Sequence, residues 1–356
     1  MTDPIEHRDG ITACDVRTAR LATRVLASGR EDGEPIIFLH GNLSTATFWE
    51  ETMLAMPRHF RCTAPDQRGY GQADSSALVD ATRGVADWGD DVIALADYYE
   101  WPQFHVIGHS LGGSVVWSLL GTSAHRVRTA TVVAPGPPNG FPGAHGPRCA
   151  LNRADGAGSG AGVVNPQFVA RLRAGDRSPT DDSYSPRNVM NRVFWHPEFR
   201  PAREEQLLTA MLQVHLGKRQ FPGDYVPSDD WPGFAPGRFG PINALSPKYN
   251  QHVLSELLAA TTKRPLLWIY GNADAIINDA SMSDVGQQGF LGLRQGWPGN
   301  ETFPPQPLLS EVLYALKQYA AHGGHVQQLR LPNVGHTPYL EAPAPCHAAL
   351  MRHFTT

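Results

Sequence analysis

His105-Val106-Ile107-Gly108-His109-Ser110-Leu111-Gly112-Gly113-Ser114-Val115-Val116-Trp117 reads as a short apolar strand, a sharp turn and the start of a helix. In a Gly-x-Ser-x-Gly turn the glycines stand two before and two after the serine, because neighbouring backbone passes where Cβ atoms would collide. The free N–H groups of the first helical turn then face any negative charge that forms at the serine. The pattern alone arises by chance in a Gly-rich chain. Set between this strand and this helix, it points to Ser110 as a nucleophile.

Working outward, short β-rich runs recur at Ala22–Ser28, Ile36–Leu39, Arg61–Ala64, Thr129–Ala134, Leu266–Tyr270 and Val326–Leu331. Most are continuous apolar runs without alternation, as in strands covered on both faces of a parallel sheet. Helical spacing fits between them over Asp87–Tyr99, Ser114–Leu120 and Leu308–Ala321. Alternating strand and helix predicts a doubly wound, mostly parallel α/β sheet. Between Pro135 and Lys263 the alternation stops: helical stretches near 166–174, 202–217 and 248–262 are separated by Gly/Pro-rich tracts, with no clear strand. The expected organisation is a core over 1–135 and 263–356 and a helical cap over 136–262; a separate second domain is the other reading of that segment.

A serine hydroxyl needs a base. Of fifteen histidines, His336 stands out in Leu331-Pro332-Asn333-Val334-Gly335-His336, a loop just past the last strand. His322 and His325 read as helix-end residues, and His109 as a pocket-shaping neighbour of Ser110. The base needs an acid to fix its tautomer. Asp274 follows a strand in Gly271-Asn272-Ala273-Asp274, at a carboxyl end where α/β sites collect, whereas Asp279 and Asp284 read as solvated or capping residues. An oxyanion formed at Ser110 would be held by the amide of Leu111 and by a second amide from His40-Gly41-Asn42, assigned to Asn42 with Leu43 as the fallback.

Ile36–Asn42, Asp66-Gln67-Arg68-Gly69-Tyr70-Gly71, Gly108–Gly113, Gly271–Asp274 and Gly335-His336 resemble, in matching order, the α/β-hydrolase superfamily. The resemblance covers about 1–135 and 263–356. It implies an eight-stranded sheet, a catalytic triad of Ser110, Asp274 and His336, oxyanion amides at Asn42 and Leu111, and a helical cap between the sixth and seventh strands at 136–262. The Asp66–Gly71 run resembles a structural turn of that family and is not counted as catalytic. The elbow carries Ser where the similar haloalkane dehalogenases and epoxide hydrolases carry Asp, which sets those two activities aside. It also lacks the Gly-Gly-Ser-Trp-Gly run of similar proline iminopeptidases.

The rest of the 356 residues narrows the classes. The chain is 41% hydrophobic and 18% charged, with a net charge of −4 and a pI near 6.4. That is too apolar for a disordered chain and offers no basic footprint for nucleic acid. Cys14, Cys62, Cys149 and Cys346 show no metal-ligand or disulfide spacing, and no phosphate or dinucleotide loop occurs. No metal or other cofactor is expected. The N-terminus does not read as a signal peptide and no run approaches a membrane span, so a soluble, cytoplasmic chain without membrane insertion is the default, a homodimer being compatible.

Gly (35) and Pro (30) make up about 18% of the chain against a usual ~12%, and half of them cluster in 135–162, 217–247 and 286–307. The last tract belongs to a long loop, 281–307, whose Phe290, Leu291, Leu293 and Trp297 suggest that it packs over something. Together with the cap aromatics, among which Trp195 and Trp231 are assigned to the pocket alongside Leu43 and His109, these tracts point to a fairly hydrophobic small-molecule substrate. The expected activity is hydrolysis of a carboxylic ester or lactone through an acyl-enzyme on Ser110. Carbon–carbon bond hydrolysis or cofactor-free perhydrolysis would use the same residues, and a non-catalytic small-molecule receptor is the alternative outside enzymology.

Overall fold

The computed structural model describes residues 5–179 and 183–355. Six strands come first: β1 (Thr12–Arg17), β2 (Ala22–Gly29), β3 (Glu34–Leu39), β4 (Phe60–Pro65), β5 (Phe104–His109) and β6 (Val127–Val133). Helices α1 (Glu50–Ala55), α2 (Ala86–Tyr98) and α3 (Leu111–Thr122) connect them. An insertion follows, holding hairpin β7–β8 (Ala144–His145, Ala150–Leu151), helices α4 (Pro166–Arg173), α5 (Pro186–Val193) and α6 (Glu204–Leu212), and hairpin β9–β10 (Tyr225–Pro227, Phe234–Pro236). It ends in α7 (Pro241–Ala244), α8 (Pro247–Asn250) and α9 (Val253–Ala259). The chain returns to the sheet as β11 (Leu266–Gly271), α10 (Val285–Phe290), α11 (Leu308–Ala321), β12 (Val326–Leu331), α12 (Pro338–Glu341) and α13 (Pro343–Phe354).

The eight-stranded sheet runs β1-β2-β4-β3-β5-β6-β11-β12, with β2 the reversed strand and every pair from β4 to β12 parallel. The predicted strands are all present, and β1 joins them as an edge strand. Its Thr-Ala-Cys-Asp-Val-Arg run is exposed at all but Val16, so it carries no apolar signal. The central strands β5 and β11 are buried at every residue, as their unbroken apolar runs require. Helix α3 is buried from Leu111 to Leu120 because it lies between the sheet and α9. Chain order reverses beside β3, whose neighbours β4 and β5 follow it in sequence, so a crevice opens at the carboxyl ends of β3 and β5.

Two findings depart from the sequence reading. The insertion contains the two hairpins, whose strands of two or three residues are too short for any periodicity to register. The long loop after Asp274 holds α10 and inserts Val285 and Phe303 into the protein, whereas Phe290, Leu291 and Leu293 face solvent. Its fold rests on buried polar groups. Asp284 Oδ2 accepts from the amides of Gln287 (2.8 Å) and Gln306 (3.0 Å), and Gln306 Nε2 donates to Glu311 Oε2 (2.7 Å) and to the Gly140 carbonyl (3.1 Å).

The turn after β4 is anchored the same way. The carboxylate of Asp66, fully buried, pairs with Arg24 (2.9 Å) and accepts from the amides of Ala46 (3.0 Å) and Gln72 (2.8 Å). Removing it would strand a guanidinium that is 3% exposed. Asp66→Ala is therefore expected to lower stability by about 3–5 kcal/mol, read from urea unfolding; a loss below 1 kcal/mol would contradict the anchoring role. Burial, with Asp284 and Asp279 nearby, pushes Glu311 up to about 8 from an ordinary 4.5, against the opposing Gln306 hydrogen bond. The folded state thus favours the neutral acid. Its contribution to stability is full below pH 4.5 and is lost as pH rises to about 8. Thermal melts should show the wild-type Tm falling across that window and Glu311→Gln, neutral throughout, melting about 3–6 °C higher at pH 8; equal Tm–pH slopes would contradict it.

Candidate active site

Ser110 sits at φ 54° and ψ −115° between β5 and α3, a conformation that L-residues avoid at a cost of about 1–3 kcal/mol. The Ser110 amide donates to the Val133 carbonyl (2.9 Å), which ties the turn to β6. A Cβ on Gly108 would lie 2.2 Å from the Gly112 carbonyl oxygen, and one on Gly112 would lie 2.3 Å from that of Leu39. The elbow therefore closes only with glycine at both positions. Leu111 opens α3, where first-turn amides have no intrahelical acceptor.

The loop after β3 lies against this turn. A Cβ on Gly41 would stand 3.0 Å from Ser110 Cβ and from His109 Nδ1. His40, fully buried, donates from Nδ1 to the Gly41 carbonyl (2.8 Å) and accepts at Nε2 from the Gln67 amide (2.9 Å). Burial lowers its pKa to about 4, so it holds the loop as a neutral ring. Gln67 Nε2 adds a bond to the His40 carbonyl (2.6 Å), which makes the Asp66–Gly71 turn a prop for the loop. The Asn42 side chain accepts from the Tyr70 hydroxyl (2.8 Å).

His336 Nδ1 donates to Asp274 Oδ2 at 2.8 Å, and both residues are nearly excluded from solvent. Asp274 Oδ1 accepts from the amides of Ile276 (2.8 Å) and Ile277 (2.9 Å), so each carboxylate oxygen has a partner. That bond assigns the proton to Nδ1 and leaves His336 Nε2 as the basic nitrogen. The loop that carries His336 is held from both sides. Glu341 accepts from the amides of Gly335 (2.9 Å) and Thr337 (3.3 Å) and, across to the insertion, from that of His196 (2.8 Å). Thr337 Oγ1 donates to the Phe194 carbonyl (2.5 Å).

One cavity of about 240 Å³ is lined by Ser110, His336, Asn42, Leu111 and His109 together with Phe141, Pro142, Val163, Val164, Phe194, Ile242, Leu245, Ile276, Met282, Ser283 and Gln288. It carries no Lys, Arg, Asp or Glu. Gln288 spends its amide within its own loop, donating to the Met282 carbonyl (2.9 Å) and accepting from Arg294 (3.2 Å).

Three assigned pocket residues lie elsewhere. Leu43, at φ 53°, turns into the hydrophobic core; Trp195 is buried against Phe194 and Phe199 with its indole N–H on Asn191. Trp231 packs edge-on to Phe303 and donates to the Gln295 carbonyl. In each case a tertiary partner claims the ring or side chain. The wall is instead mostly aliphatic, and of the aromatics in 136–262 it takes Phe141 and Phe194 rather than Trp195 or Trp231. Sequence offers no signal for the others, because loops and helices of one or two turns, too short for a period to register, deliver them a few at a time. Among the described residues, no group of three or more His, Cys, Asp or Glu could hold a metal ion, and no helix is long and apolar enough to cross a membrane.

Comparison with known proteins agrees with this architecture. A family profile described as "alpha/beta hydrolase fold" matches residues 34–155. The AB hydrolase superfamily protein YfhM of Bacillus subtilis is 36% identical over 115 residues, 32% of this chain and 40% of that protein. Carboxylesterase YbfK of the same organism is 32% identical over 114 residues (32% and 38%). The 2-hydroxymuconate semialdehyde hydrolase of a Pseudomonas species is 30% identical over 117 residues (32% and 40%). The match thus spans about two fifths of the length of these relatives. The solved structure of YbfK superposes over 96% of this chain and 91% of its own, with a TM-score of 0.56 at 18% identity, a likeness of fold. The eight-stranded mostly parallel sheet, the serine elbow at the β5–α3 turn and the profile match over residues 34–155 give the chain an α/β-hydrolase fold.

Proposed function

We propose that the protein is a serine hydrolase that cleaves a carboxylic ester or lactone of an uncharged, fairly hydrophobic small molecule. The observation that carries this reading is the 2.8 Å His336–Asp274 bond behind a His336 that shares one cavity wall with the strained Ser110. In the proposed reaction His336 Nε2 takes the Ser110 proton as the hydroxyl oxygen attacks the ester carbonyl. The amides of Leu111 and Asn42 hold the oxyanion, while Asp274 balances the imidazolium. Collapse breaks the bond to the alcohol, which leaves with the proton from His336. Water, deprotonated by His336, then attacks the acyl-enzyme and frees the acid and Ser110. The insertion, read as a cap over 136–262, supplies one side of the cavity through Phe141, Val163, Phe194 and Ile242.

Carbon–carbon hydrolysis is the second reading, favoured by the 30% identity to the semialdehyde hydrolase. That enzyme's name specifies a muconate, a carboxylate, and the wall here offers no Lys or Arg to pair with one. The neutral lining therefore supports an uncharged ester.

A fluorophosphonate probe should label the wild type and not Ser110→Ala; equal labelling of both would refute the nucleophile. His336→Ala should lower ester turnover by about 10³-fold or more, and a loss under tenfold would refute the base. In a p-nitrophenyl ester series, the butyrate should exceed the laurate by at least about tenfold in kcat/KM, because a 240 Å³ cavity is short of the range that holds large ligands. Preference for an acyl group ending in a carboxylate would overturn the uncharged substrate class.

A further inference from the structure

The carbonyl of His336 is gripped by the residue next to Ser110. His109 Nε2 donates to the His336 carbonyl oxygen at 2.8 Å, a bond between residues 227 apart in sequence. The ring is 3% exposed and has little freedom to move. Its Nδ1 edge meets the space that Gly41 leaves open for want of a Cβ, and the Tyr339 ring crosses it at 74° with centroids 5.2 Å apart. Tyr339 is in turn stacked on Trp49 at 3.9 Å. The His336 ring lies 4.9 Å from that of His109.

Burial, followed by the proximity of His336, holds the His109 pKa well below 6.5. The ring is therefore neutral, with its proton on Nε2 where the carbonyl accepts it. A neutral donor is what this position demands, since a second cation 4.9 Å from His336 would oppose the imidazolium that forms there in turnover.

We infer that His109 is a positioning residue: by holding the His336 carbonyl from the position adjoining Ser110, it sets the separation between the nucleophile and the base. The inference rests on the reading of Ser110 and His336 in those two roles. His109 and Ser110 are consecutive and their backbone is pinned by the Ser110–Val133 bond, so the short bond to the His336 carbonyl links the elbow to the base loop, with a longer one from the Tyr339 hydroxyl to His109 Nδ1 (3.5 Å) beside it. Asp274 fixes the far edge of the His336 ring and Glu341 the flanking amides, but neither connects that loop to the elbow.

The test compares wild type, His109→Gln and His109→Phe, since a glutamine amide reaches the place of Nε2 with a donor and phenylalanine fills the ring volume without one. Each is assayed for p-nitrophenyl butyrate turnover, fluorophosphonate labelling rate and thermal melting. His109→Phe should lose about 10- to 100-fold in kcat with KM within about twofold, and its labelling rate should fall by the same factor. His109→Gln should recover most of the activity. If the ring served only to fill space, the order would reverse, and His109→Phe with wild-type kcat overturns the inference. Should His109→Phe fail to melt cooperatively, His109→Gln decides: a wild-type Tm with kcat reduced more than thirtyfold overturns it. A wild type that neither labels nor turns over removes the underlying reading and this inference with it, an outcome distinct from an active wild type with unaffected variants.

Discussion

The architecture of the site depends on how closely the backbone of the β5–α3 turn approaches its neighbours. Gly108 and Gly112 leave room for carbonyl oxygens that stand about 2 Å from where a Cβ would be, and that contact brings the amino end of α3 against the ends of β3 and β5. The strain stored at Ser110 follows from it. A serine with relaxed dihedrals would either unwind the first turn of α3 or separate it from the strand. Helix, strand and loop over-determine the turn, and each is held by an extensive apolar core, so the strained conformation is retained.

Around this centre, the loops at the carboxyl end of the sheet share one solution to a common problem. A loop buried at an active-site rim carries amides that water cannot satisfy. Here carboxylates accept them, three buried and one half-buried: Asp66 for Ala46 and Gln72, Asp274 for Ile276 and Ile277, Asp284 for Gln287 and Gln306, and the half-buried Glu341 for Gly335, Thr337 and His196. Besides the pairing of Asp66 with Arg24, two of the four shape the site itself. Asp274 also receives His336 Nδ1, and Glu341 ties the His336 loop to the insertion, so the wall containing Phe194 and the loop bearing the proposed base are one mechanical unit. The cavity between them has an uncharged wall, in which an oxyanion at Ser110 would meet amides without competition from fixed charges.

Much of this was legible in the residues. The alternation of apolar strands and amphipathic helices specified the sheet, because a parallel strand covered on both faces has no polar positions to spare. Gly108-His109-Ser110-Leu111-Gly112 marked the elbow for the same steric reason that makes it work. His336 and Asp274 were recognisable from their places just past strand ends, where a parallel sheet gathers its loops. The pocket was not legible. Leu43, Trp195 and Trp231 had suitable chemistry and the wrong neighbours, and Phe290, Leu291 and Leu293 face water although their composition suggested a packed loop.

Sequence by itself therefore determined the class of fold and which side chains the proposed chemistry uses, since both follow from local periodicity and from glycine's tolerance of close approach. Tertiary structure alone decided what surrounds them. The cavity wall, the grip of His109 on the His336 carbonyl and the burial of Glu311 arise from contacts between segments far apart in the chain, joined by loops whose glycines permit many paths. Such contacts leave no period in the residues, because each depends on where two loops meet and not on the pattern within either one.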